Sequence, residues 1–212
     1  FDKYTDKQIS IKTGNPEDFK SYEDLRDAFY KQLEHIINVK IRGNNVIEKI
    51  FAEHMPSPFM SVLTTGCKEN GKDYNAGGSK YNTRYIQVVG IGTITDCLAS
   101  VKYNVYEENR FTMKELLAAI DANFEGYEML HNLVLNHTPK YGNDNDYADD
   151  IMLDIFTNVR DRIRGRKSVC GGTYQIDMLP TTCHVYFGSV MTASANGRLK
   201  EKPVTDGISP EK

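Results

Sequence analysis

Gly171-Gly172-Thr173-Tyr174-Gln175-Ile176-Asp177-Met178-Leu179-Pro180-Thr181-Thr182-Cys183-His184-Val185-Tyr186-Phe187-Gly188 is the run from which the rest of the chain is read. Thr182, His184 and Tyr186 alternate with Cys183, Val185 and Phe187, so Thr181 to Phe187 is expected to be a strand closed by Gly188. Beyond it, Asn196-Gly197 marks a turn. Asp206-Gly207 and Ser209-Pro210 mark a second irregular segment, because glycine tolerates positive φ and proline removes a donor.

Toward the N-terminus the pattern changes period. Residues 1–20 are polar and irregular. Ser21 offers a cap with Glu23 and Asp24 in the first turn, and Leu25, Phe29, Leu33, Ile36 and Ile37 follow at helical spacing. Arg42-Gly43-Asn44-Asn45 interrupts that face before Val46, Ile47, Ile50 and Phe51 resume it, which gives a kinked helix or two helices, ended by Pro56 and Pro58. Pro58 to Leu63 is a short apolar run, and the glycine-rich 67–80 is expected to be a loop. Tyr85 to Val89 reads as a buried strand. Ile94, Leu98, Val101 and Val105 carry a helix capped by Thr93 or Thr95. Thr112 with Glu115 forms a capping box for Leu116, Leu117, Ile120 and Phe124. A further helix runs from about Tyr147 and stops at Gly165. Strands interleaved with helices predict an α/β arrangement with parallel pairing.

The chain has 212 residues and a net charge of -3, with a pI near 6.0. That balance offers no basic nucleic-acid surface, and Arg162 to Lys167 reads as the charged end of a helix. No apolar run approaches the roughly 18 residues of a membrane span, so a cytoplasmic protein without membrane or nucleic-acid partners is expected. Cys67, Cys97, Cys170 and Cys183 lie far apart, without zinc or disulfide spacing.

Other motifs are incomplete. Val89-Gly90-Ile91-Gly92-Thr93 has two glycines of a dinucleotide fingerprint and lacks the third, so a tight strand-to-helix turn is expected. Asp144, Asp146, Asp149 and Asp150 lack the glycine and terminal glutamate of a calcium loop, and no metal site is expected. The five histidines lack His-Glu-x-x-His spacing; only His184, beside the expected pocket, is retained as a candidate. There is no Gly-x-Ser-x-Gly elbow for a serine hydrolase.

Four segments together resemble the glycyl radical enzymes of the pyruvate formate-lyase superfamily: Gly77-Gly78-Ser79-Lys80-Tyr81-Asn82, Lys140-Tyr141-Gly142-Asn143-Asp144, Met178 to Gly188, and the Gly197-Arg198 turn with Asp206-Gly207-Ile208-Ser209-Pro210. The wording of Met178 to Gly188 is most similar to the branch that dehydrates trans-4-hydroxy-L-proline. Ala195-Asn196 stands where the family has Pro-Asp. The resemblance implies part of a ten-stranded α/β barrel, with residues 1–212 a partial domain whose catalytic cysteine loop and glycyl radical domain lie elsewhere on a longer chain. It also implies a radical installed by a radical S-adenosylmethionine activating enzyme, a small-molecule substrate and a homodimeric parent. The thiyl radical would attack the substrate, and a glutamate would assist water loss.

The same resemblance singles out site residues. Thr181 and Thr182 are expected to contact substrate with His184 beside them, since a hydroxyl bonds a carboxylate or ring amine without adding charge. Gly66-Cys67-Lys68-Glu69 mimics the family's Gly-Cys-x-Glu loop, but its downstream neighbours match a later segment, so Cys67 is read as structural and catalysis there as the alternative. Another superfamily activity (formate C-acetyltransferase, diol dehydratase or decarboxylase) and a stand-alone binding or structural domain are the rival readings.

Overall fold

The computed structural model describes residues 5, 7–179 and 181–211. Pro180, which would open the expected strand, and most of the first six residues lie outside the described residues. The chain divides into two compact units. One comprises residues 1–11, 32–86 and 159–177, the other residues 12–31, 87–158 and 178–212.

The elements are α1 (Tyr22–His54), α2 (Pro58–Leu63), α3 (Cys67–Asn70), β1 (Thr83–Gln87), α4 (Ile91–Ser100), α5 (Met113–Asp121), α6 (Glu128–Asn136), α7 (Asp146–Ile163), β2 (Thr173–Asp177) and α8 (Cys183–Ser189). A π-helical stretch, Val101–Glu107, continues α4. The Ser21 cap is real: its Oγ accepts from Asp24 N at 3.1 Å, and Asp24 Oδ2 accepts from Ser21 N at 3.2 Å. So is the Thr112–Glu115 box, in which each side chain accepts from the other residue's backbone N–H. Arg42 to Asn45 does not break α1, which runs unbroken for 33 residues; Gly43 costs helix propensity without forcing a break.

In the first unit β1 and β2 pair as a two-stranded sheet. Tyr174 is fully buried and donates to Asn45 Oδ1 at 2.9 Å. The loops beside the sheet interlock through glycines. A Cβ on Gly77 would fall 2.0 Å from Cys170 O, and one on Gly172 would fall 2.1 Å from Asn82 O. Asn82 Nδ2 then donates to Cys170 O at 2.7 Å. Close approach explains Gly77, Gly78 and Gly172, whereas Gly171 has open space around its Cβ position and is required by its φ of +86°.

The second unit has its own core, built from Val101, Phe111, Met113, Leu116, Phe124, Leu130 and Val134 with their neighbours. Each such side chain contributes about 1.5–3 kcal/mol of burial. The helix α6 was not anticipated, although Leu130 and Val134 sit one helical turn apart on its buried face.

The expected strand 181–187 is instead the turn Thr181–Thr182 followed by α8. Thr181 takes φ +54°, which breaks an extended chain. Gly188 packs so tightly that a Cβ would lie 2.3 Å from Lys202 O. The β-branched and aromatic residues that suggested a strand are exposed side chains of this helix: Val185, Tyr186 and Phe187. Pro58 to Leu63 and Cys67 to Asn70 also form short helices, inside stretches that read as an apolar run and a loop. No helix among the described residues is long and apolar enough to cross a membrane.

Candidate functional site

In the second unit, three of the sequence motifs meet around residues 203–211. The first is the Gly90-Ile91-Gly92-Thr93 turn. Gly90, with φ +77°, precedes α4, and its N–H donates to Thr205 O at 3.2 Å. Thr93 N donates to Thr205 Oγ1 at 3.0 Å, and Thr205 N donates to Thr93 Oγ1 at 2.9 Å. Thr93 and Thr95 therefore lie inside α4 and do not cap it. The free N–H of the first turn is capped from a distant part of the chain, by Thr205. A Cβ on Gly92 would lie 2.7 Å from Ser209 O, so this glycine admits the loop. The half fingerprint thus receives a peptide segment.

The second motif is Lys140-Tyr141-Gly142. Asp96, 1 % exposed on α4, accepts from Tyr141 N at 2.8 Å, while Tyr141 OH donates to Ile208 O at 2.8 Å. Pro210 lies over Gly142, where a Cβ would be 2.7 Å away. The third is the Asn196-Gly197-Arg198 turn. The buried Arg198 spends its guanidinium on Thr192 O, Leu199 O, Lys202 O and Ser194 Oγ, so it clamps its own loop. Lys140 Nζ donates to Asn196 O at 2.8 Å, and the Asn196 amide donates to Glu211.

These segments enclose a cavity of about 740 Å³ lined by Asp96, Lys140, His184, Asn196, Arg198 and Asp206 among others. Burial pushes the Asp96 carboxyl up, against the bond from Tyr141 N and the charge of Lys140. Burial also pushes up Glu211, helped by the neighbouring Asp96. The Cys97 thiol is raised to about 11, again by burial, which keeps it an unreactive thiol. The wall therefore sets two carboxyl groups, both raised by burial, among apolar neighbours such as Leu135, Leu199 and Val204. Sequence reasoning passed over Asp96 and Glu211, and read Lys140 only as part of a family motif. The available signal was a lone aspartate among the apolar residues of α4, because a buried carboxylate needs partners.

Of the residues singled out from sequence, His184 reaches this cavity. It sits in the first turn of α8 with Nδ1 3.1 Å from Thr181 O and 3.7 Å from Asp206 Oδ1. Thr181 and Thr182 are exposed at the start of the same helix and are not among the cavity's lining residues. Cys67 lies in the other unit, 3 % exposed. There Gly66 takes φ +98°, and Glu69 accepts from Gly66 N at 2.9 Å, so the glutamate closes a short helical turn. The described residues hold no group of three side chains able to bind a metal ion.

Residues 1–188 match the family described as pyruvate formate lyase-like. The chain is 60% identical over all 212 residues to trans-4-hydroxy-L-proline dehydratase of Clostridioides difficile, and covers 27% of it. It is 33% identical over 207 residues to (2S)-3-sulfopropanediol dehydratase of Klebsiella oxytoca, covering 97% of this chain and 25% of that one. Among solved structures, the Clostridioides difficile hydroxyproline dehydratase with trans-4-hydroxy-L-proline bound superimposes with a TM-score of 0.97 at 60% identity, over 100% of this chain and 27% of that one. The glycerol-bound glycerol dehydratase of Clostridium butyricum gives 0.91 at 34% identity, over 96% and 26%.

The chain belongs to the pyruvate formate lyase-like family, and its fold is part of the α/β barrel of glycyl radical enzymes. It spans about a quarter of the length of the relatives it matches.

Proposed function

We propose that the chain is a wall segment of a glycyl radical dehydratase that removes water from trans-4-hydroxy-L-proline. The observation that carries this reading is the 60% identity, maintained over the whole chain, to a dehydratase solved with that substrate. On this reading residues 1–212 are a partial domain of a cytoplasmic, homodimeric enzyme. Thr181, Thr182 and His184 contact the substrate, and Cys67 is structural.

The glycyl radical and the cysteine it oxidises belong to other parts of the parent chain, and a radical S-adenosylmethionine activating enzyme installs the radical. The 212 residues contain no Arg-Val-x-Gly-Tyr motif, so no radical step is assigned to them. What they contribute is positioning. The Thr93–Thr205 and Tyr141–Ile208 bonds fix the 203–211 loop, and the loop together with α8 sets the cavity wall. Fixing such a wall limits the orientations a bound substrate can take and excludes water from it.

The reading is tested on the full-length polypeptide treated anaerobically with its activating enzyme. An organic radical signal by electron paramagnetic resonance, with loss of water from trans-4-hydroxy-L-proline by mass spectrometry, is expected. A full radical signal without that product would refute the substrate assignment.

A further inference from the structure

We propose that His184 orients the substrate through Nε2, which accepts a hydrogen bond from the substrate's ammonium or hydroxyl group. The inference rests on the reading above and deepens it by assigning one ring nitrogen and one kind of ligand group.

The geometry fixes the tautomer. A carbonyl oxygen only accepts, so the 3.1 Å contact with Thr181 O places a hydrogen on His184 Nδ1. Asp206 Oδ1, 3.7 Å from the same nitrogen, is beyond hydrogen-bond reach and places a carboxylate near that edge of the ring. With Nδ1 committed as donor, neutral His184 has Nε2 as its acceptor. Among the described residues no hydrogen bond is made to Nε2, and His184 lines the cavity.

Two features hold the ring in place. Thr181 at φ +54° turns its carbonyl back onto the third residue along. Val204 N donates to His184 O at 3.3 Å, which ties the first turn of α8 to the loop carrying Asp206. Turning the ring over would forfeit the bond to Thr181 O. An acceptor at Nε2 selects a ligand donor, and a carboxylate placed there would meet a lone pair. The charged neighbours on the surrounding elements are Asp96, Lys140, Arg198, Lys202, Asp206 and Glu211. Lys140 and Arg198 are already bonded to backbone carbonyls.

Two substitutions separate orientation from structure. His184→Asn retains a donor near the Nδ1 position and has nothing at Nε2, whereas His184→Gln gives up the donor and places an amide near Nε2. Binding of trans-4-hydroxy-L-proline to the full-length, unactivated polypeptide is measured by calorimetry, alongside its O-methyl and N-methyl derivatives. Asn should weaken binding by about two- to tenfold where the donor is the neutral hydroxyl and by about ten- to 150-fold where it is the charged ammonium, and Gln should restore most of it. One methylated derivative should lose affinity for wild type and lose less for His184→Asn. Wild-type affinity in His184→Asn, or equal losses in both variants, overturns the proposal. If wild type does not bind hydroxyproline at all, the substrate assignment falls. The His184 assignment is then judged by neutron diffraction, where a hydrogen on Nε2 and none on Nδ1 overturns it and the reverse supports it.

Discussion

Thr93 and Thr205, 112 residues apart in sequence, each donate a backbone N–H to the other's hydroxyl, at 3.0 and 2.9 Å. Both are buried, so each hydroxyl satisfies an amide that water cannot reach. Thr205→Val keeps the shape and leaves Thr93 N without an acceptor, at a cost of about 1–3 kcal/mol. Hydrogen exchange of residues 203–211 in the full-length protein should accelerate roughly five- to 150-fold, while Thr205→Ser stays near wild type.

Glycines at close approaches should respond differently from glycines in open space. Gly92→Ala drives a Cβ to 2.7 Å from Ser209 O and should release the same loop. Gly43, inside α1, has nothing within 4 Å of its Cβ position. There alanine should stabilise the helix by about 0.5–1 kcal/mol, seen as exchange in α1 slowed about two- to fivefold.

The acid groups of the cavity give a pH dependence of known sign. The folded-state values of Asp96 and Glu211 are raised, chiefly by burial. Their contribution is therefore fully present below the ordinary carboxylate range and is lost as pH rises through the raised values. Protection of residues 203–211, with intrinsic exchange rates divided out, should fall as pH rises out of the acid range. Asp96→Asn, which retains an oxygen to accept from Tyr141 N, should flatten that fall.

Cys67 offers a test of the motif that imitates the family's cysteine loop. It is buried at a turn closed by Glu69 and Gly66. Cys67→Ser in the full-length polypeptide should retain most turnover, since it alters packing and removes no radical carrier. Complete loss of turnover with fold and radical yield intact would move catalysis to Cys67.

The elements legible in the sequence are those whose signals are local: the Ser21 and Thr112 caps, the 3.6-residue periodicity of α1, α5 and α7, and the stop at Gly165 with its φ of +77°. Non-local contacts decided what was misread. Thr181 to Phe187 carries β-forming residues, yet Thr181's left-handed backbone and the fit of Gly188 against Lys202 make it a turn and a helix. Thr93 resembled a cap from within the helix, while the cap is supplied by Thr205. His184 was retained from the sequence for its place beside the expected pocket, and it lines the cavity from a helix rather than from a strand. Asp96 and Glu211 were missed because their role appears only once residues 90–96, 140–142 and 196–211 come together.

Whether these residues wall a pocket that dehydrates hydroxyproline, as proposed above, is decided by competition between substrates. The activated full-length enzyme is given trans-4-hydroxy-L-proline, glycerol and (2S)-3-sulfopropanediol together, and consumption of each is followed by mass spectrometry. Preferential dehydration of trans-4-hydroxy-L-proline is the expected result; preferential consumption of either other compound, with hydroxyproline untouched, would assign the pocket to a different substrate.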